Sequence, residues 1–232
     1  MRKLLLIFAV MLIIVLPIAM ADIIVFTTYD TRTTLDKGHL KIERDVVLKN
    51  VGGAPIIPGE LHFKLREITS KGTYGPAVKN LEAHDQYSTE LRTNVIQTDK
   101  QTDLIISVWN PLLPEFSFPL TMSYELDFEP RGILFYEINV PMEETTIPIQ
   151  SVTNKFMIPK SYSITYAKDA SIEKDDEFDV VTWTGRSIMN IEYSRIPLPK
   201  LPVRGVNLFW VSLILLLLIP FAVRIIKAVR AR

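Results

Sequence analysis

Polar and apolar residues alternate along most of this chain in short period-two runs, and long apolar stretches flank the pattern at both ends. The clearest run is 116–128. Phe116, Phe118, Leu120, Met122, Tyr124, Leu126 and Phe128 occupy one face, and Ser117, Pro119, Thr121, Ser123, Glu125 and Asp127 the other. Strict alternation over this length predicts a strand with one face buried. Pro119 has no N–H for a ladder, so the strand is expected to be at an edge or bulged there. Further strands are predicted at 23–29, 40–48, 61–65, 91–97, 104–109, 133–140, 149–158, 162–166, 178–183 and 187–193. Turn residues separate them at 36–38, 98–102 and 184–186, the last read as a hairpin connection. Only 78–87 offers a candidate amphipathic helix. Turn signals roughly every ten residues predict a mostly β protein, an antiparallel β-sandwich region of one large or two small sandwiches. A turn at 129–132 divides it into 22–129 and 130–196, the latter a second β unit or a continuation of the first.

The C-terminal apolar stretch, 206–223, carries no charge over 18 residues. As a helix it reaches about 27 Å, close to the hydrocarbon thickness of a bilayer. Arg224, Lys227, Arg230 and Arg232 follow it without an acid, whereas Arg204 alone precedes it, so its C-terminal side is expected in the cytoplasm. A transmembrane helix is therefore expected at 206–223 in preference to a buried core helix. Arg204, Trp210, Arg224, Lys227 and Arg230 are its expected membrane-interface residues. Pro197, Pro199 and Pro202 make 197–205 a stiff strut, and 224–232 is a basic cytoplasmic tail. Residues 1–21 read as a secretory signal peptide: Arg2 and Lys3, an apolar region at 4–16, Pro17, then Ala19-Met20-Ala21. Cleavage is expected before Asp22; the rival is an uncleaved anchor. Both readings place the middle of the chain outside the cytoplasm.

Charge sharpens this picture. The chain has 26 basic and 26 acidic residues, but six of the bases lie at 2–3 and 224–232, where there is no acid. The region between is left net acidic, which excludes nucleic acid as an expected partner. Membrane lipid and another membrane protein are the expected partners instead. The chain has no cysteine, so its core must hold the exported region without disulfides. It also has no Asn-x-Ser/Thr sequon. Both features point to a prokaryotic or archaeal plasma membrane.

Candidate chemistry is sparse. His39, His62 and His84 lie far apart, with no second ligand at metal spacing, and read as solvated. The acidic run 173–177 lacks the ligand alternation and glycine of a calcium loop and reads as a solvated turn. Glu143-Glu144 reads the same way, its two side chains on opposite faces. There is no Gly-x-Ser-x-Gly and no phosphate-cradling glycine loop. Trp109 and Trp183, with Tyr74, Tyr87 and Tyr136, could stack a sugar, but both tryptophans sit in apolar strand patterns and are expected in the core. No catalytic residue, metal or cofactor is expected.

One stretch carries a family likeness. Arg32-Thr33, Leu35-Asp36, His39-Leu40, Lys41 and Val46-Val47-Leu48-Lys49-Asn50 resemble the opening of the lumenal region of ribophorin I, and 187–196 is similar to a later strand of it. Members of that family are non-catalytic oligosaccharyltransferase subunits with β-rich, type I ectodomains; this chain is far shorter and lacks their later region. The resemblance implies an accessory role beside a membrane enzyme that handles exported chains, and no functional residue carries over. The function expected is thus a membrane-anchored, non-catalytic accessory or scaffold subunit, possible links to glycosylation included. The alternative is a surface adhesion or envelope-binding module.

Overall fold

A computed structural model describes residues 23–36, 38–69, 72–128, 130, 132–141, 143–185 and 189–230, without the side chains at 68, 69, 222 and 225–230. The expected signal peptide and its cleavage point lie outside the described residues.

Strands β1 (Ile24–Asp36) and β2 (His39–Asn50) form a long antiparallel hairpin paired from Ile24↔Asn50 to Asp36↔His39, with a one-residue register shift between Phe26 and Thr28. Gly38 turns it with φ +93°, a left-handed conformation that suits glycine. The other side of β2 pairs with β9 (Ser117–Asp127), with Leu40↔Leu126, Ile42↔Tyr124 and Val46↔Leu120. The alternation of β9 works as expected from Leu120 onward: Leu120, Met122, Tyr124 and Leu126 are buried. Phe116 is not; it precedes the strand and is 60% exposed. At Pro119 the strand is locally an edge, because the ladder to β6 (Val78–Asp85) stops at Asp85↔Leu120.

β6 replaces the helix expected over 78–87. A register shift between Lys79 and Glu82, with Asn80 at φ +52°, marks a bulge. The extra residue puts Val78 and Leu81 three apart on one side, which imitates helical spacing. On the far side of β1 lies β11 (Val152–Pro159), paired in parallel with Tyr29↔Val152 and Thr34↔Met157. β14 (Phe178–Thr184) and β13 (Ser171–Lys174) continue the sheet, whose order is β13-β14-β11-β1-β2-β9-β6. Strands from both sides of the turn at 129–132 thus share one seven-stranded sheet.

Two three-stranded sheets cover its inner face. One is β3 (Gly59–Leu65), β8 (Thr102–Val108) and β7 (Thr93–Gln97), in the order β3-β8-β7. The other is β10 (Tyr136–Asn139), β15 (Asn190–Ser194) and β12 (Ser163–Ala167), in the order β10-β15-β12. A short ribbon of β4 (Glu67–Thr69) and β5 (Gly72–Tyr74) projects from β3. The hairpin expected at 184–186 is not formed: β14 belongs to the large sheet and β15 to a small one, so this stretch crosses between layers. The layers meet in one core, where the Phe63 ring lies 5.8 Å from Phe26 and 6.4 Å from Tyr29. Each fully buried side chain of this size contributes about 1.5–3 kcal/mol.

Trp183 is buried in that core and its Nε1 donates to the Lys168 carbonyl at 2.8 Å. Trp109 is a correction: it is 64% exposed, one residue past β8. Its ring lies near Gly59, and exposed Ile57, Leu113 and Phe116 flank the neighbouring Ile56–Leu112 bridge and the loop tied by Asn50. The buried Asn50 amide donates to Ala54 O and Leu112 O and accepts from Gly52 N. Beyond the strands comes a single described helix, α1 (Gly205–Arg230).

Candidate functional site

The chain turns from sheet to helix against strand β15, which is buried on both faces from Ile191 to Ser194. Ile191 and Tyr193 supply apolar surface, and Glu192 lies among them only 2% exposed. Its Oε1 accepts the Gly205 N–H at 2.7 Å and the Thr165 hydroxyl at 2.8 Å, and its Oε2 accepts the Val206 N–H at 3.2 Å. A helix start leaves N–H groups without partners and a partial positive charge. The first turn of α1 contains no acid, so the strand supplies the anion from outside the helix. A carboxylate this deeply buried is tolerable because both oxygens are engaged by donors.

Three more contacts hold the same corner. Arg204 pairs through Nη1 with Glu137 at 3.0 Å, and its Nη2 donates to Asn190 Oδ1 at 3.3 Å. The Leu201 N–H donates to Thr165 O at 2.7 Å, laying the proline-rich strut along β12. Gly205 packs on the Phe135 ring so closely that a Cβ there would lie 2.3 Å from it. Sequence reasoning missed Glu192. The available signal was an acid between Ile191 and Tyr193 in an apolar strand, which ought to have a partner.

Of the residues expected at a membrane interface, Arg204 is engaged by the β-body. Trp210 lies in the second turn of α1, 56% exposed, its ring edge-on to Phe209 at 5.7 Å between centroids. Arg224 is exposed on the same helix; Lys227 and Arg230 lie on it further along, their side chains outside the description. The junction thus brings Arg204 and the start of α1 together and leaves the other cations beyond the apolar stretch.

A second polar cluster lies inside the sandwich. Arg44 and Glu143 form an ion pair with both side chains fully buried. Tyr124 donates its hydroxyl to Glu143, Arg44 Nη1 donates to Thr31 Oγ1 at 2.5 Å, and the guanidinium sits 4.7 Å from the Tyr29 ring centroid. Burial raises the phenols of Tyr29 and Tyr124 well above the ordinary tyrosine range. For Arg44 burial is the largest influence and would lower the pKa; the facing Glu143 carboxylate, Tyr29 and Tyr124 together outweigh it and hold the guanidinium charged. This overturns the solvated reading of Glu143. Glu144 does face out, where it pairs with Arg66 at 3.1 Å. Period two separates the neighbours, and the second layer covers one of them.

Elsewhere the histidines make local pairs: His39 with Asp127 and His62 with Asp103, each at 2.9 Å. A hydrogen bond from Lys79 is the main reason the exposed Asp127 carboxyl lies below the usual range. The acidic run ends β13 and turns into β14, the Asp175 N–H donating to Phe178 O at 2.9 Å. Among the described residues no three His, Cys, Asp or Glu side chains converge on a metal-sized site.

No family model matches the chain. It is 31% identical over 128 residues to the uncharacterized protein MJ1395 of Methanocaldococcus jannaschii, an overlap of 55% of this chain and 91% of that protein. Among solved structures it is similar to an M1 zinc metallopeptidase of Deinococcus radiodurans, at 14% identity and a TM-score of 0.46, over 74% of this chain and 42% of that one. A mutant of that enzyme bound to a Tyr-Ser-Ala substrate gives 14% and 0.45 over the same shares. The chain spans about two fifths of the length of those structures, and a likeness at this level carries no argument about activity.

Proposed function

We propose that this chain, which belongs to the same family as MJ1395, is a single-pass membrane protein. Its β-body stands outside the cytoplasm as a non-catalytic accessory or scaffold subunit of a membrane complex. The observation that carries the reading is the surface of α1. Phe209, Trp210 and Val211, then each residue from Ile214 to Ile219, are 48–64% exposed. Consecutive residues advance about 100° around a helix, so these runs cover every face. A surface helix of a water-soluble domain would turn one apolar side to the core. Among the described residues no helix is long and apolar enough to cross a membrane; in the full sequence 206–223 is an 18-residue run without charge. Arg224, Lys227 and Arg230 then fit the cytoplasmic flank and Trp210 the outer interface.

The accessory role rests on the resemblance to ribophorin I at 32–50 and on the structural use of the buried acids: Glu143 is sealed against Arg44 and Glu192 caps a helix. The relative in Methanocaldococcus jannaschii agrees with an archaeal plasma membrane. Alkaline carbonate extraction of the full chain from its native membrane tests the anchoring; release into the soluble fraction overturns it. Co-purification in mild detergent tests the assembly, and a partner-free monomer counts against it. The second reading, an envelope-binding module, is favoured by one observation: Ile57, Trp109, Leu113 and Phe116 are all exposed beside the Ile56–Leu112 bridge. Retention of the full chain on cell-envelope polymer, lost in Trp109→Ala, would select that reading.

A further inference from the structure

We propose that Glu192, Arg204 and Gly205 form a rigid coupling that fixes the β-body at one orientation to the axis of α1. This coupling rests on the membrane reading only for its biological consequence, a body held at a set attitude over the bilayer.

A strut and helix joined to a domain by the chain alone would swivel about the strut. Here four constraints act within the six residues 201–206. The Glu192 carboxylate takes the first two N–H groups of α1, from Gly205 and Val206, which fixes both the position and the direction of the helix start. Glu192 itself cannot swing, because Thr165 on the neighbouring strand also donates to it and its backbone sits inside the β10-β15-β12 sheet. Arg204, the residue before the helix, is held by Glu137 on β10 and Asn190 on β15. Gly205 lies against the Phe135 ring, which any side chain at 205 would have to displace, so the pivot is packed without slack. Leu201 pins the strut to β12 one turn earlier. The anchors come from three strands of one sheet and from the loop before it, so a rotation that relaxes one breaks another.

The buried acid is also the part that needs explaining. An aspartate or serine within the helix start would cap it at less cost. Placing the acid on the strand makes the cap and the attachment one interaction, so the helix cannot lose its anchor and keep its cap. A solvated cap would stabilise the helix and leave its direction free.

The full chain has no cysteine, so spin labels can be placed at two introduced sites without background. Labels at Ser171→Cys on β13 and Val211→Cys on α1, in detergent-solubilised full-length protein, report the body-to-helix distance by pulsed electron resonance. A second pair, Ser117→Cys with Ser171→Cys, reports the body alone. The expected result is a narrow body-to-helix distribution in the otherwise native chain, at least doubled in width by Glu192→Ala and by Gly205→Ala, with the body pair unchanged. A broad native distribution overturns the coupling, and so do variants as narrow as the native chain. If Glu192→Ala also broadens the body pair, Gly205→Ala and the native width decide. A narrow native distribution in a chain that carbonate releases would keep the coupling and overturn only the membrane reading.

Discussion

Glu143→Leu should be among the most damaging single substitutions in the β-body. The native acid is fully buried, faces the Arg44 guanidinium and accepts the Tyr124 hydroxyl. Removing it leaves the cation with only Thr31 and the face of the Tyr29 ring, inside a sandwich from which water is excluded. Breaking a buried pair in this way costs about 3–5 kcal/mol. That is a large share of the roughly 5–15 kcal/mol that holds a domain of ordinary stability. The native pair, by contrast, is worth little compared with apolar residues of the same volume. Arg44→Met with Glu143→Leu should therefore lie within about 1–2 kcal/mol of the native chain. Adding Tyr124→Phe should recover more, since a stranded buried hydroxyl costs about 1–3 kcal/mol. Denaturant titration of the full chain in detergent, followed through buried Trp183, measures these four proteins and the Arg44→Met single variant. The reasoning fails if Glu143→Leu costs under about 1 kcal/mol, or if the double variant costs the sum of the two singles, since additivity would mean the two side chains do not interact.

Two other outcomes follow from the same core. Stability should fall steeply above about pH 10, the ordinary tyrosine pKa. Burial raises the pKa of Tyr29, Tyr124 and Tyr193 in the folded state, the last to about 12, so their contribution is complete below the unfolded pKa; above it the unfolded chain sheds three protons that the folded chain keeps until Tyr193 too ionises. Each such tyrosine adds a slope of about 1.4 kcal/mol per pH unit, and Tyr29→Phe should remove about a third of the effect between pH 10 and 12 in an alkaline melting series. Acrylamide should quench Trp109 readily and Trp183 scarcely, read in chains retaining one tryptophan each; equal quenching would contradict their placement.

Local alternation carried most of the strand assignment because each face of a strand repeats every second residue and the buried face tolerates little polarity. It failed where the repeat was interrupted or where the partner was remote. The bulge at Asn80 disguised β6 as a helix. Phe116 and Trp109 continue apolar runs past the ends of β9 and β8, where there is no second layer to cover them. The hairpin at 184–186 had a plausible turn sequence, but which sheet each arm joins is decided by contacts with strands dozens of residues away. The junction was half visible. Proline spacing marked the strut and apolar length marked the helix, whereas the role of Glu192 depends on Thr165 and Gly205, separated from it by 27 and 13 residues.

The parallel pairing of β1 with β11 gives a reason for burying Glu143. From the end of β9 the chain runs up β10, and then Glu144 pairs its backbone with Lys64 on β3, both hydrogen bonds at 2.8 Å. It reaches the large sheet at Ile149, beside Phe26, and enters β11 in the same direction as β1. This crossover links all three main sheets and has little regular structure of its own. Glu144 attaches it to the second layer through the backbone, and Glu143, one residue earlier, attaches it to Arg44 in the middle of β2. An apolar residue at 143 could fill the volume but would accept many positions along the core. A carboxylate that must meet one guanidinium and one phenol accepts one. The ion pair thus ties the crossover to β2, as the Glu144 backbone ties it to β3, at little net gain in stability over apolar residues of the same volume.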